Sequence, residues 1–351
     1  MKSLSGPEAA LVRVGELTAD KFAAWDAFVL AHPEGTFFHL SKWQSVLQRA
    51  FGHRTHYLIA ERNGEVCGVL PLAEVRSLLF GHSLVSTPFC VYGGIVAADA
   101  SAFAALEKHA CELATRLGVS HLEMRNRRRQ HPGWPVKDLY VTFRKSINAD
   151  SEANMLGIPR KQRAMVRKGI QKELRAEVDG SVDRAYEMYS ESLRNLGTPV
   201  FSPRYMRILK ETFGEDCEVL TVMHGSEPVA SVMSFLFRDE VLPYYGGGTH
   251  AARPVAGNDF MYWEVMERAR QQGRAIFDYG RSKLGSGSFD FKKNWGFEPE
   301  PLYYEYFLVR AREMPNLSPT NPKYSLFIRM WQKLPVAVTR IVGPWLARHL
   351  G

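Results

Sequence analysis

The sequence predicts an α/β (α+β) chain of two tandem units, each a mixed sheet flanked by helices. Three observations predict it. First, Trp43-x3-Leu47-x3-Phe51-Gly52 returns 162 positions later as Tyr205-x3-Leu209-x3-Phe213-Gly214. That spacing is one apolar helix face closed by a glycine. Second, each of these helices precedes two alternating apolar runs joined by a tight turn, Asn63-Gly64 in one case and Gly225-Ser226 in the other. Such turns between alternating runs signal hairpins. Third, Tyr92-Gly93-Gly94 and Tyr245-Gly246-Gly247 each close an expected strand, and a helix and a further strand follow both. A repeated order of helix, hairpin, strand, helix, strand suits two units better than one large domain.

The first unit is expected over residues 1–150. It reads as the helix at Trp43, strands His56–Ala60 and Val66–Leu72, a helix over Ala102–Leu117 and a strand at His121–Met124. The second is expected over 151–312 and to carry the chemistry. It reads as a basic helix from Arg160, the helix at Tyr205, strands Glu218–Met223 and Val229–Phe237, a helix from Asp259 capped by Asn258 or Asp259, and a strand at Ala275–Tyr279. Residues 313–351 form a basic amphipathic tail, which Pro335 and Pro344 should divide into short helices. The tail either packs on the first unit or meets an anionic membrane through 324–350.

With 351 residues, 45% of them hydrophobic, the chain can fill two cores. Its net charge of +8 favours anionic partners. Cys67, Cys90, Cys111 and Cys217 lack redox or zinc spacing and read as small buried hydrophobes in a reducing compartment. No membrane-length apolar run occurs, and Met1–Thr18 lacks the apolar core of a secretory leader. The expected location is cytoplasmic, with peripheral contact on the inner membrane through the tail. No GxSxG elbow, HExxH, Walker loop or Cys-His pattern is present, so a covalent nucleophile, a metal and a P-loop are all unexpected.

The segments Phe277-Asp278-Tyr279-Gly280-Arg281-Ser282-Lys283 and Phe289-Asp290-Phe291-Lys292-Lys293-Asn294-Trp295-Gly296-Phe297 carry the most specific signal. An aromatic-Gly-Phe step from a helix into the last strands is similar to the end of an N-acetyltransferase (GNAT) fold. The combination with Phe-Lys-Lys resembles the Fem family, which adds amino acids to peptidoglycan precursors. The likeness covers about residues 36–310 and is most specific over 258–297, where it looks most like the Fem-type proteins associated with PEP-CTERM/exosortase systems in exopolysaccharide-producing bacteria. It implies two tandem GNAT-like domains, chemistry in the second, no cofactor, and an aminoacyl-tRNA donor in place of acyl-CoA. It also implies an envelope or glycan precursor as acceptor. The long charged helical hairpin that some members use as a tRNA arm has no counterpart here.

By that resemblance Phe291-Lys292 falls on the family's Phe-Lys pair, and Lys292 would stabilise the oxyanion. Asp278 sits at an expected strand end, where ligands collect in α/β sheets, and is the candidate to orient or deprotonate the amine. Arg281, Ser282 and Lys283 suit a diphosphate or uronate, Phe291 and Trp295 could line the site, and Tyr245 precedes a glycine run that suits a bulge. Between the halves, seven basic residues face one acid over 160–175. Arg160, Arg163 and Arg167 share a helix face with Lys168 beside it, read here as an anion-binding strip and otherwise as a solvated surface helix. Arg253-Pro-Val-Ala-Gly257-Asn-Asp259 lacks the spacing of a coenzyme A pyrophosphate loop and brings an acid to it. Acyl-CoA acting on an amino sugar, and a non-catalytic scaffold for RNA, glycan or membrane, remain the alternatives.

Overall fold

The computed structural model describes residues 11–77, 81–315 and 322–348. Most of Met1–Thr18, read above for a leader, lies outside the described residues, as do His349 to Gly351 of the tail. The first part of the chain runs β1 (Arg13–Glu16), α1 (Phe22–Ala31), α2 (Lys42–Phe51), β2 (Thr55–Arg62), β3 (Glu65–Ser77), β4 (Gly81–Ser86) and β5 (Val96–Ala97). There follow α3 (Ala100–Leu117), β6 (His121–Asn126), β7 (Val136–Lys137), β8 (Tyr140–Ser146), α4 (Ser151–Leu156), α5 (Arg160–Gln171) and β9 (Arg175–Val178). Next are α6 (Asp183–Leu196), α7 (Pro203–Phe213), β10 (Cys217–His224), β11 (Glu227–Phe237), β12 (Glu240–Gly248), α8 (Ala252–Val255) and α9 (Gly257–Gln271). The chain ends with β13 (Ile276–Asp278), β14 (Ser282–Lys283), α10 (Gly287–Asn294), β15 (Pro299–Pro301), β16 (Tyr303–Leu308), α11 (Pro322–Trp331) and α12 (Val336–Ala347).

Two compact units result. One comprises Met1–Gln48, Gly52–Val136 and Tyr303–Met314; the other Arg49–Phe51, Lys137–Leu302 and Pro315–Gly351. The first sheet has the order β1-β2-β3-β4-β6-β16-β7, with β5 on β3, and the second β14-β8-β13-β12-β11-β10-β9, with β15 on β8. The plan is shared. Four antiparallel strands are followed by a parallel neighbour reached through a helix, β4 to β6 through α3 and β12 to β13 through α9. The parallel neighbour then pairs with an antiparallel strand that is remote in sequence. In the first unit that strand is β16, in register Tyr306↔Glu123. In the second it is β8, in register Phe277↔Lys145.

Both predicted hairpins form, with Asn63 and Gly64 at φ 53° and 83° in the first turn. Three local expectations fail. Tyr92-Gly93-Gly94 does not end a strand: β4 stops at Ser86, the chain takes positive φ at Thr87 and Phe89, and the amides of Gly93 and Gly94 turn to the Arg125 carbonyl. Neither Asn258 nor Asp259 caps α9, because the helix starts one turn earlier from Ala256, leaving both inside the first turn. Pro344 does not break the tail; it sits in the last turn of α12, while Pro335 does separate the two tail helices.

The second core packs Val166, Phe260, Met261, Trp263, Phe277, Tyr279, Trp295 and Phe297 around the sheet. Helix α5 enters it through Val166 and Gly169, both buried. A Cβ on Gly169 would stand 2.7 Å from the Phe260 Cβ, so the missing side chain sets how closely α5 approaches α9. Gly169→Val should therefore cost about 1–3 kcal/mol of stability by overpacking. Chemical denaturation of the folded variant measures it, and an unchanged midpoint would mean that the two helices are not held this tightly.

Candidate active site

Strands β12 and β13 run parallel in register over Glu240↔Ile276 and Val241↔Phe277. Strand β13 ends at Asp278, whereas β12 continues to Gly248, so an opening lies at the carboxyl ends of the parallel pair, where α/β sheets gather ligands. A bulge at Tyr244 shifts the β11–β12 register from Met233↔Tyr245 to Ser234↔Pro243. The opening is filled by aromatic rings. Tyr262 and Tyr279 pack edge to face at 4.6 Å, with Phe291 and Trp295 about them. A Cβ on Gly246 would lie 2.8 Å from the Tyr262 hydroxyl, which places that hydroxyl against the β12 backbone. Burial pushes the Tyr262 phenol up to about 12 and Tyr279 well above its ordinary value, so both stay protonated.

Asp259 joins three elements at this point. Its Oδ1 accepts from Trp295 Nε1 at 3.0 Å, at the end of α10, and from the Gln162 side chain in the first turn of α5. Burial raises its pKa, opposed by those two hydrogen bonds. The turn after Trp295 depends on Gly296, whose φ is +79° and where a Cβ would meet Pro159 Cδ at 2.9 Å. Pro159 begins α5, so the basic helix starts beside the aromatic site. Along it Arg160, Lys161 and Arg167 are exposed and Arg163 and Lys168 half-buried. None of the five makes an ion pair among the described residues, which agrees with the near absence of acids read in the sequence.

The two adjacent lysines separate. Lys293 is exposed, whereas Lys292 is 9% exposed. Lys292 Nζ donates to the carbonyls of Gly280 and Arg281 at 3.0 and 3.1 Å and lies over the rings of Tyr279 and Phe143. Burial is the main cause that brings its ammonium down to about 7; Arg281 adds to this and Asp278 opposes it. These carbonyls use two of the three donors of an ammonium. Asp278 is buried, accepts from Gly280 N at 2.8 Å, and pairs with Arg144 of β8 at 2.9 Å, which itself reaches Glu240. Arg144 was not anticipated, because its partner lies 134 positions away.

The remaining candidates divide. The Arg281 guanidinium stacks over Tyr140 at 4.7 Å. Lys283 is half-buried and brought down to about 8, mainly by burial, with Arg281 and Lys137 adding repulsion. Ser282 is buried and accepts from the Ser288 hydroxyl. Trp295 is 1% exposed in the second core, and the half-buried Phe291 packs against that core. Tyr245 lies apart from this group: its hydroxyl bonds that of Tyr205 at 2.7 Å, among Tyr189 and Phe201. Sequence reasoning missed Tyr262 and Gln162. The i, i+3 spacing of Asp259 and Tyr262 on one helix was the available signal.

The equivalent strand end in the first unit borders a cleft lined by His39, Gly94, Arg125, Asn126 and Arg127, with a buried carboxylate behind it. Glu305, fully buried, accepts from Asn126 Nδ2, Gln130 N, His131 N and His131 Nδ1. Among the described residues no cluster suits a metal ion, and no helix is long and apolar enough to cross a membrane.

Residues 158–293 match the model of the acetyltransferase (GNAT) domain. No curated protein matches the chain. Three solved structures resemble it at low identity. FemX is 15% identical with a TM-score of 0.64, covering 90% of this chain and 100% of its own. L-PGS from Bacillus licheniformis is 14% identical, TM-score 0.54, covering 91% and 98%. A tandem GNAT protein from the clavulanic acid biosynthesis pathway is 12% identical, TM-score 0.53, covering 84% and 98%.

Buried uncharged, Lys292 is easier to fold around than it is protonated, and its pKa lies below the usual 10.5. Between about 7 and 10.5 the unfolded chain therefore binds the extra proton, so stability should rise with pH across that window. Lys292→Met should flatten this rise in a pH series of denaturation midpoints; an identical slope in the variant would show that Lys292 titrates normally.

The fold of the chain is thus the tandem GNAT fold, and its residues 158–293 match the acetyltransferase (GNAT) domain model.

Proposed function

We propose that the chain is a Fem-like N-acyltransferase that moves an aminoacyl group from a charged tRNA to an amine of a cell-envelope or exopolysaccharide precursor. The observation that carries this reading is the junction of a buried Lys292 with an unpaired basic helix bonded through Gln162 into the same aromatic cluster. The likeness to FemX in fold supports it.

In this reaction the acceptor amine attacks the carbonyl carbon of the aminoacyl ester. A C–N bond forms, the ester C–O bond breaks, and the ribose hydroxyl leaves with the proton that the amine releases. Negative charge collects on the carbonyl oxygen at the tetrahedral stage, where preorganised donors contribute most. The third N–H of Lys292 and the Tyr262 and Tyr279 phenols are such donors. Asp278, fixed by Arg144, orients the amine, and Arg281 and Lys283 take an anionic group of the acceptor. Arg160, Arg163, Arg167 and Lys168 hold the tRNA backbone. The first turn of α9 speaks against coenzyme A, because the Asp259 carboxylate stands where a helix N-terminus would receive a diphosphate. The reading places the protein in the cytoplasm, facing its precursor at the inner membrane.

The test compares binding of charged tRNA and of acyl-CoAs by the purified protein over a range of salt. Saturable tRNA binding is expected, and Arg160→Gln/Arg163→Gln/Arg167→Gln should lower the slope of log K against log salt by about 2–3. Tight acyl-CoA binding without tRNA binding would instead assign an amino-sugar acyltransferase.

In the transfer reaction, Lys292→Met should lower kcat by about 10²–10³ with donor affinity kept. Since the protonated lysine is the active form, wild-type kcat should fall as pH rises through about 7. A rising limb there would make Lys292 a general base. Full cellular function of a folded Lys292→Met protein would leave only a scaffold role.

A further inference from the structure

We propose that α11 and α12 together form a docking surface for an anionic lipid bilayer, lying in the plane of its interface. The inference rests on the outward face of these helices and does not depend on the reaction assigned above.

Both helices are already anchored on one side. Thr339, Gly343 and Ala347, spaced i, i+4 and i+8, are buried, and Arg340 Nε donates to Ser190 Oγ of α6 at 2.8 Å with its guanidinium over Tyr186. Just beyond α11, Gln332 Nε2 donates to the Asn195 carbonyl at 3.0 Å, and Trp331 is buried. A helix fixed this way on a water-facing surface should turn polar residues outward. Here the pattern is reversed. Val338, Ile341, Val342 and Trp345, at i, i+3, i+4 and i+7, form the outward stripe of α12, with Ile341 79% and Trp345 54% exposed. Leu326, Phe327 and Met330 continue it on α11. Of the fifteen large hydrophobics exposed among the described residues, seven fall in these twenty positions, which makes this a patch rather than scatter.

The charge around the patch selects its occupant. Arg329, Lys333 and Arg348 are exposed on these helices or just beyond their ends, and no acid follows Glu313 in the sequence. A symmetric contact between two copies would set cation against cation with no acid of the segment to pair them. An anionic headgroup layer accepts both features: cations at the phosphates, and aliphatic side chains and an indole at the acyl boundary. Helices of 10 and 12 residues are too short to span, so they lie flat.

The test floats the full chain with vesicles of phosphatidylcholine alone or mixed with phosphatidylglycerol. Binding to the anionic vesicles, weakened by salt, is expected. Ile341→Ser/Trp345→Ser should lower the partition coefficient by about tenfold or more. Arg329→Gln/Lys333→Gln should lower it about fivefold per charge on anionic vesicles only. Thermal melts and tRNA or acyl-CoA binding should be unchanged in both variants; if the first melts early, the second decides alone. Wild-type protein that stays in solution with anionic vesicles overturns the proposal. So does a wild-type dimer that Ile341→Ser/Trp345→Ser converts to monomer, since the face would then be a self-interface.

Discussion

The hydrogen bonds to the Asp259 carboxylate are the constraint on which the second unit's site depends. One oxygen ties the first turn of α5, the first turn of α9 and the end of α10 into one knot through Gln162 and Trp295. Losing either donor would leave a buried acceptor short of a partner, at roughly 1–3 kcal/mol. The knot also fixes function-bearing geometry. It seats the Trp295 indole beside Tyr262, and it sets the start of the basic helix next to the opening between β12 and β13. A carboxylate in that turn removes the attraction of a helix N-terminus for phosphate.

The same strand order meets two different ends. In the first unit the carboxyl edge of β6 is consumed by internal pairing: Glu305 takes four donors, and Arg125 is bound by Glu123 and by the Cys90 carbonyl. Buried pairing of this kind rigidifies the edge, although Asn126 Oδ1 and Gln130 Oε1 are left without a hydrogen-bond partner. In the second unit the corresponding edge holds a buried lysine and two protonated phenols. Equal topology therefore carries unequal chemistry, as expected when function resides in side chains placed on a common frame.

Local signals made much of this legible in sequence. The two hairpins were set by their turns and alternation, and α2 by its apolar spacing and the Gly52 cap. The features that escaped were long-range. That β8 belongs with β13, and β16 with β6, follows from pairings whose partners lie over a hundred positions apart, and neither strand's own composition records the choice. Asp259 was seen as a charge against a pyrophosphate, but its true partners, Gln162 and Trp295, are distant in sequence. Tyr92-Gly93-Gly94 matched its counterpart in letters only, because positive φ at Thr87 and Phe89 had already ended the strand. Of Lys292 and Lys293, spacing could say that one faces in; which one required the position of β13.

The surroundings of Lys292 discriminate between its two possible roles. Burial penalises the charged form, which is why its ammonium is brought down to about 7. A lysine kept as a neutral base would gain from a donor aimed at its lone pair. The groups at hydrogen-bond distance are instead the carbonyls of Gly280 and Arg281, which only accept, and the faces of Phe143 and Tyr279, which attract a cation. Each of these contacts strengthens when the proton is present. These contacts favour the protonated form against the burial that opposes it. An oriented, poorly solvated ammonium is a strong donor to an oxygen that becomes negative only during reaction, and a weak partner for a neutral ground state. That difference between the two states is what the proposed acyl transfer would ask of Lys292.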